Sequence, residues 1–348
     1  MSVEAGAGQG AAIPDADYTA AGASVAKGVG AALKAAVVLL KVGGPSPEEI
    51  KALEPGAIVV GLLNPHQDRP LLDALAAKGA TAFAMEFVPR ITRAQVLDML
   101  SSQANLAGYR AVIEAAESYG RALPMMMTAA GTVAAAKVFI MGVGVAGLQA
   151  IATARRLGAV VTATDVRPAT KEQVESLGAK FVAVEDEEFK AAETAAGYAK
   201  EMSKEYQAKQ AALVAEHIKK QDIVITTALI PGRPAPRLIS AAMVHAMRPG
   251  SVIVDLAVER GGNCELARPG EVAQVDGVKI VGHLNVPGRL AATASSLYAK
   301  NLYALLEILV DKTAKSLAVK WDDEIVKATA LTRDGAMIHP GFQPKTAA

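Results

Sequence analysis

Short aliphatic runs alternate with amphipathic stretches along most of the chain. AAVVLL (35–40), AIVVGLL (57–63) and ATAFAMEF (80–87) read as strands, because parallel strands buried on both faces are apolar runs rather than alternating ones. Between them SPEEIKAL and DRPLLDALAAKG read as helices, the second with Asp68 as N-cap, Pro70 in its first turn and Gly79 as its stop. That order predicts βαβ units and a parallel sheet. Near the start, VEAGAGQGA reads as a strand running into a glycine turn, with nothing before it to pair with. A long helix is predicted over 101–122, halted by Pro124, and MMMTAAGTVAAA serves as a connector.

A second series then begins. KVFIMG (137–142), AVVTATD (159–165), KFVAV (180–184), DIVITTA (222–228), SVIVDLA (251–257) and VKIVGH (278–283) are six strand candidates with helical patterns between them, the signature of a doubly wound sheet. EDEEFKAAETAAGYAKEM follows the third of these and has the small and charged composition of a surface flap. A helix is expected over 291–310, followed by a tail of little pattern that returns to cover the first domain. The fold class is therefore α/β, with two Rossmann-like, doubly wound parallel-sheet domains and a nucleotide cleft between them. The first domain is expected to be discontinuous (1–100 plus 288–348). Residues 101–127 form a connecting helix and linker, and 128–287 a dinucleotide-binding domain with a mobile loop near 186–202.

At 348 residues the chain has room for both domains. Hydrophobic residues make up 51% and aromatics only 4%, so the positive mean hydropathy of +0.26 comes from Ala, Val and Leu. That mixture favours a parallel α/β core over a β-sandwich. Net charge is +1 with both signs interspersed, which gives no patch for nucleic acid. Cys264 is the single cysteine, so an intramolecular disulfide or Cys-rich metal site is excluded. The five histidines are scattered without helical metal spacing, and no metal is expected. MSVEAGAGQG lacks the regions of a signal peptide, and no apolar run approaches the ~18 residues of a membrane span. A soluble, cytoplasmic chain is the expectation.

The strongest local motif is FIMGVGVAGLQAIATARRLGAVVTATD. Gly142, Gly144 and Gly147 form G-x-G-x-x-G directly after a strand and at the start of a helix. Gly142 allows the tight turn, Gly144 removes the side chain that would block a pyrophosphate, and Gly147 lets helix and sheet pack closely. The helix N-terminus then faces the phosphates. Asp165 ends the next strand, where a carboxylate accepts the adenosine ribose hydroxyls and repels a 2′-phosphate. NAD(H) is thus preferred to NADP(H), although Arg167 two residues on is a group that could meet a phosphate.

No nucleophilic triad and no reactive cysteine setting is visible. A dehydrogenase acting on an alcohol or amino acid needs an acid/base group, for which Lys41, ending a strand, and His66, in LNPHQDRP, are candidates; His283 reads as structural. Hydride transfer between two nicotinamides moves no substrate proton and needs only positioning groups. PRITRAQVLDMLSSQANLAGYRAV supplies that set, with arginine, amide, hydroxyl and one carboxylate crowded at a helix start.

These motifs, with MMMTAAGTV, ATDVRPATKEQVESLGAKF, ETAAGYAKEM, TTALIPGRPAP, DLAVERGGNCE and GHLNVPGR, span roughly 79–288. On them the chain resembles the NAD(H)-binding domain I, of the alpha-1 subunit type, of proton-translocating NAD(P)+ transhydrogenase, within the superfamily that includes alanine dehydrogenase. The resemblance implies that Arg90, Gln95, Asp98 and Ser101 hold the nicotinamide end of NAD(H), with Gln95 reaching toward the NADP(H) ribose on a partner component. It implies that Tyr198 is the tyrosine of a mobile loop closing over the nucleotide, and that Val145, Asp165, Arg167, Gly197, Gln210 and Leu229 touch NAD(H). NADP(H)-binding and membrane-spanning components are the implied partners, with a homodimer of this chain lying peripherally at the inner membrane.

Two departures stand against it. The proline-lysine-glutamate and arginine-valine-alanine signature with which the family begins is absent, so about one strand–helix unit of the first domain is expected to be missing, by truncation or a mis-assigned start. Loss of a central strand would expose apolar surface and weaken that domain. GLLNPHQDRP also does not match the alanine dehydrogenase histidine context. An alanine-dehydrogenase-like enzyme using Lys41 and His66, or a non-catalytic NAD-binding homologue, are the competing expectations.

Overall fold

The aliphatic runs form strands in the computed structural model, which describes residues 1–192, 202–230 and 232–343. In chain order the strands are β1 (Ser2–Glu4), β2 (Ser24–Ala26), β3 (Val38–Gly43), β4 (Ile58–Leu62), β5 (Thr81–Ala84), β6 (Met126–Thr128), β7 (Gly131–Val133), β8 (Lys137–Met141) and β9 (Val160–Thr164). They continue with β10 (Lys180–Phe181), β11 (Ile223–Thr226), β12 (Val252–Asp255), β13 (Val272–Val275), β14 (Val278–Val281), β15 (Val310–Asp311), β16 (Ser316–Leu317), β17 (Ala330–Arg333) and β18 (Ala336–Met337). The chain divides into two units, Met1–Gln103 with Ala291–Ala348, and Ala104–Leu290.

In the first unit the sheet order is β18-β17-β5-β4-β3, with β3, β4 and β5 parallel. Alternate residues of β4 and β5 point to opposite faces. Ile58, Val60 and Phe83 join Leu302, Leu305 and Leu309 of the Ala291–Leu309 helix in one core. Val59, Ala82 and Ala84 join Leu72 and Leu75 of the Arg69–Ala77 helix in the other. Asp68 caps that helix by accepting from the Leu71 N–H, and Gly79 stops the chain at φ +74°, as the sequence predicts.

The tail is more ordered than its sequence pattern. It adds β17 and β18 antiparallel to β5. Thr332, fully buried at a register shift, accepts from the Ala82 N–H and donates to the Ala80 carbonyl, so its hydroxyl satisfies backbone groups where the ladder slips. The strand expected to lack a partner, β1, pairs in parallel with β2, a three-residue strand too short to stand out in the pattern.

The second unit has sheet order β10-β9-β8-β11-β12-β14-β13, parallel except for β13. The first three strands run outward from β8 in one direction and β11, β12 and β14 in the other, which puts the topological switch point between β8 and β11. Val138, Ile140, Ile225 and Val254 pack on one face with Ala150, Ile151 and Ala154 of the Val145–Arg156 helix. Phe139, Met141, Val224 and Ile253 fill the other face. The sheet gains a seventh strand over the six expected, because β13 turns into β14 through Asp276 (φ 47°) and Gly277 (φ 79°), a two-residue hairpin turn with both φ positive. The stretch expected to be a plain connector folds as the β6–β7 hairpin, while the long helix spans Met99–Tyr119.

Candidate functional site

In the second unit the turn after β8 has the geometry its glycines predict. Gly142 sits at φ +100°, and a Cβ there would lie 2.7 Å from the Thr227 hydroxyl and 3.0 Å from the Ala228 nitrogen. Gly144 is the N-cap of the Val145–Arg156 helix, and a Cβ built on it meets nothing within 4 Å. A Cβ on Gly147 would land on the Gly142 carbonyl oxygen. Open space therefore lies over Gly144, beside a helix N-terminus with unsatisfied N–H groups, with exposed Val145 at its rim. Behind it, a Cβ on Gly108 of the long helix would strike the Ala146 carbonyl. Sequence reasoning missed Gly108, although a glycine inside a helical pattern is a signal of close approach.

Asp165 follows β9 at the mouth of this turn. Its Oδ2 accepts from the Val143 N–H at 2.7 Å, and its Oδ1 accepts from the Arg167 N–H at 2.9 Å. The Arg167 guanidinium forks onto both carboxylate oxygens at 2.9 and 3.0 Å and also donates to the Val143 carbonyl. Arg167 is thus the partner that orients the diagnostic carboxylate. Gln210, on the Lys204–Ile218 helix, accepts from the Val184 N–H and donates to the Thr164 hydroxyl, fixing that helix to the residue before Asp165. Leu229 is 55% exposed just past Ala228. Gly197 and Tyr198 lie outside the described residues.

The polar stretch of the first unit divides by role. Asp98 caps the long helix, its Oδ1 accepting from the Ser101 N–H at 2.9 Å and its Oδ2 from the Ser101 hydroxyl at 2.6 Å. Arg93 forks onto Asp323. Ser102 and Gln103 bond to Asn301 and to the Ala294 carbonyl of the Ala291–Leu309 helix. Gln95 is exposed, and its side chain makes no hydrogen bond among the described residues. Arg90 lies in the bend just before. Of the two dehydrogenase candidates, Lys41 is held by both Glu49 oxygens at 2.6 Å, and His66 packs against Phe87 and Phe342.

Two buried networks of the second unit have charged or amide centres that the sequence reading did not single out. Asp255, ending β12, accepts from the Thr226 hydroxyl and from the Ala257 and Cys264 N–H groups. Burial raises its pKa against the lowering by these donors, and the balance remains above the usual carboxylate value. Glu114 of the long helix meets Arg110 at 2.6 Å, Arg289, and His283 at 3.4 Å, with its own side chain 4% exposed. Burial raises its pKa, but the hydrogen bonds from Arg289 and Arg110 outweigh that and hold it below the usual range. Glu114→Ala should cost about 3 kcal/mol, the order expected when one partner of a buried ion cluster is removed. Because the folded-state pKa is depressed, this contribution is complete above the unfolded carboxylate value and disappears as pH falls through the folded one. Urea melts of both chains should therefore converge in acid. A constant gap between neutral and strongly acid pH would contradict the assignment.

Among the described residues no group of three or more His, Cys, Asp or Glu is placed to hold a metal, and no helix is long and apolar enough to cross a membrane.

Comparison with known proteins bears on this geometry. Residues 1–107 match the family described as alanine dehydrogenase/PNT, N-terminal domain, and residues 111–340 match its C-terminal domain. An NAD(P) transhydrogenase subunit alpha chain of Rhodospirillum rubrum is 58% identical over 345 residues, covering 98% of this chain and 90% of the relative. Alanine dehydrogenase of Halomonas elongata is 30% identical over 345 residues, covering 97% and 86%. The crystal structure of transhydrogenase from Sinorhizobium meliloti superposes with a TM-score of 0.88 at 62% identity, covering 97% of this chain and 90% of that one.

Proposed function

The chain belongs to the alanine dehydrogenase/PNT family, and from that premise we propose that it is the NAD(H)-binding component of an NAD(P) transhydrogenase. The observation that carries the reading is the Gly142–Gly147 turn, open over Gly144 and faced by the largely buried carboxylate of Asp165. NAD(H) fits there: the Val145 helix start would meet the pyrophosphate and Asp165 the adenosine ribose, with Arg167 keeping the carboxylate aimed. When bound, NADH supplies a hydride, which passes directly to NADP+ held by a partner component. The chain's residues then have no substrate proton to move. Their work is to fix ring geometry and exclude water. Gln95, Arg90 and Asp98 with its bonded Ser101 take the nicotinamide end, with Tyr198 from the closing loop, and proton translocation belongs to a separate membrane component at whose surface this chain lies.

The engagement of Lys41 by Glu49 and of His66 by two phenylalanines counts against an amino-acid dehydrogenase, which needs a poised acid/base. A homodimer is also proposed. Met125, Met126 and Met127 are exposed on or beside the β6–β7 hairpin, and a lone two-stranded hairpin with apolar surface calls for a partner. Sedimentation as a monomer at micromolar concentration would remove that element of the proposal.

One assay separates the functional readings. The purified chain is mixed with an NADP(H)-binding transhydrogenase domain, and NADH-driven reduction of an NAD analogue through bound NADP(H) is followed. Turnover that requires both proteins is expected. NADH oxidation by this chain alone with pyruvate and ammonia would replace the reading with an alanine dehydrogenase, and NADH binding without either reaction would leave a non-catalytic module.

A further inference from the structure

The segment that leaves β11 crosses the switch point directly beside the glycine turn. Thr227 donates its hydroxyl hydrogen bond to the Gly142 carbonyl at 2.9 Å, and the next residue, Ala228, is gripped by a single side chain. The Asn263 Oδ1 accepts from the Ala228 N–H at 3.0 Å, and its Nδ2 donates to the Ala228 carbonyl at 2.9 Å and to the Pro236 carbonyl at 2.8 Å. One fully buried amide thus pairs with Ala228 as a neighbouring strand would, and also ties down the returning chain at Pro236. Asn263 is itself immobile. Its own carbonyl accepts from the Leu238 and Ile239 N–H groups, and its neighbour Cys264 donates to buried Asp255. Between the two tethered points Leu229 and Ile230 are 55% and 45% exposed, large apolar side chains mounted on a fixed foot.

Where that wall stands follows from sheet order. In a doubly wound sheet a dinucleotide straddles the switch point, one nucleoside over each half. Asp165, after β9, marks the adenosine half, so the segment after β11 borders the nicotinamide half. We propose that Asn263 is a positioning residue that holds Leu229 and Ile230 as a preorganised apolar wall for the nicotinamide nucleoside. The inference rests on the dinucleotide reading of this site and adds a residue that touches no ligand.

The test compares two probes, NADH and AMP, by titration calorimetry on the full chain. Asn263→Asp keeps the shape and the acceptor for Ala228 but turns a carboxylate oxygen toward the Ala228 and Pro236 carbonyls, in place of a donor. The NADH dissociation constant should rise about tenfold, with AMP binding changed less than twofold, because the adenosine half is untouched. Retained AMP binding also reports that the unit is folded, and Asn263→Ser carries the same comparison should the aspartate variant not fold. In a Leu229→Ala background the Asn263 substitution should add little further loss. An unchanged NADH-to-AMP affinity ratio, whether both probes weaken together or neither does, overturns the proposal while leaving the dinucleotide site standing. Failure of the unsubstituted chain to bind either probe would instead remove the site itself.

Discussion

A valine at position 144 should leave the chain folded and weaken NADH binding about a hundredfold. Gly144 has φ −82° and ψ −166°, which any residue adopts, and a Cβ there touches nothing within 4 Å. No internal contact therefore requires glycine. The requirement comes from the ligand: a branched side chain at the N-cap would fill the space in which the pyrophosphate meets the helix N–H groups. Losing one or two charge-assisted hydrogen bonds, at about 1.5–3 kcal/mol each, corresponds to the stated loss of affinity. Gly147→Ala supplies the contrast. Its Cβ would overlap the Gly142 carbonyl, so helix and sheet must separate, at about 1–3 kcal/mol of overpacking. That variant should lose melting temperature and NADH affinity together. Calorimetric titration beside thermal melts distinguishes them, and a Gly144→Val chain that binds NADH within twofold of the original would mean that the pyrophosphate lies elsewhere.

The contrast also indicates what could be read from residues alone. The three glycines and Asp165 were legible because each carries a local geometric demand: a positive φ, an open N-cap, a close approach, a carboxylate at a strand end. Fully buried parallel strands were legible for the same reason, as uninterrupted aliphatic runs. The strands that were missed, β13 and the pair β17 and β18, lie at Asp-Gly turns, Asp276-Gly277 and Asp334-Gly335, both with two positive φ values. That dipeptide is a strong hairpin signal, but its flanks here are short and half-exposed, and the alternation is too brief to weigh against the helical patterns around it. The Asn263 tether, by contrast, depends on contacts 27 and 35 residues away in sequence, which no periodicity encodes. Glu114 likewise has one partner, Arg289, 175 residues distant.

The polar stretch at 89–112 was legible as a set of residue types and illegible as a set of roles. Arg93, Ser102 and Gln103 serve the fold, since they bind the returning tail and the Ala291–Leu309 helix. Asp98 and Ser101 bond to each other as a cap, an arrangement that orients their remaining lone pairs without excluding a ligand. Sequence spacing alone does not separate these duties, because capping, tethering and ligand binding draw on the same short polar side chains.

Within that stretch Gln95 gives the second large effect. Its neighbours Ala94 and Leu97 are buried, and the Val96 carbonyl accepts from Asn301 at 2.8 Å, so the backbone that carries Gln95 is anchored. Its side-chain amide, exposed and without a hydrogen bond among the described residues, is then a polar group on a rigid mount. On the proposed function it reaches for the nucleotide of the partner component. Gln95→Asn keeps the amide and removes one methylene, a retreat of about 1.5 Å. Displacements near 1 Å in a positioning group cost about a hundredfold in rate when the reacting atoms must stand near contact distance. Stopped-flow hydride transfer between the assembled components should accordingly slow by about that factor, while the NADH dissociation constant of the isolated chain changes less than twofold. A loss of NADH affinity matching the loss of rate would instead make Gln95 a holder of the chain's own nucleotide, and the residue that aligns the two rings would have to be sought among Arg90 and the partner's groups.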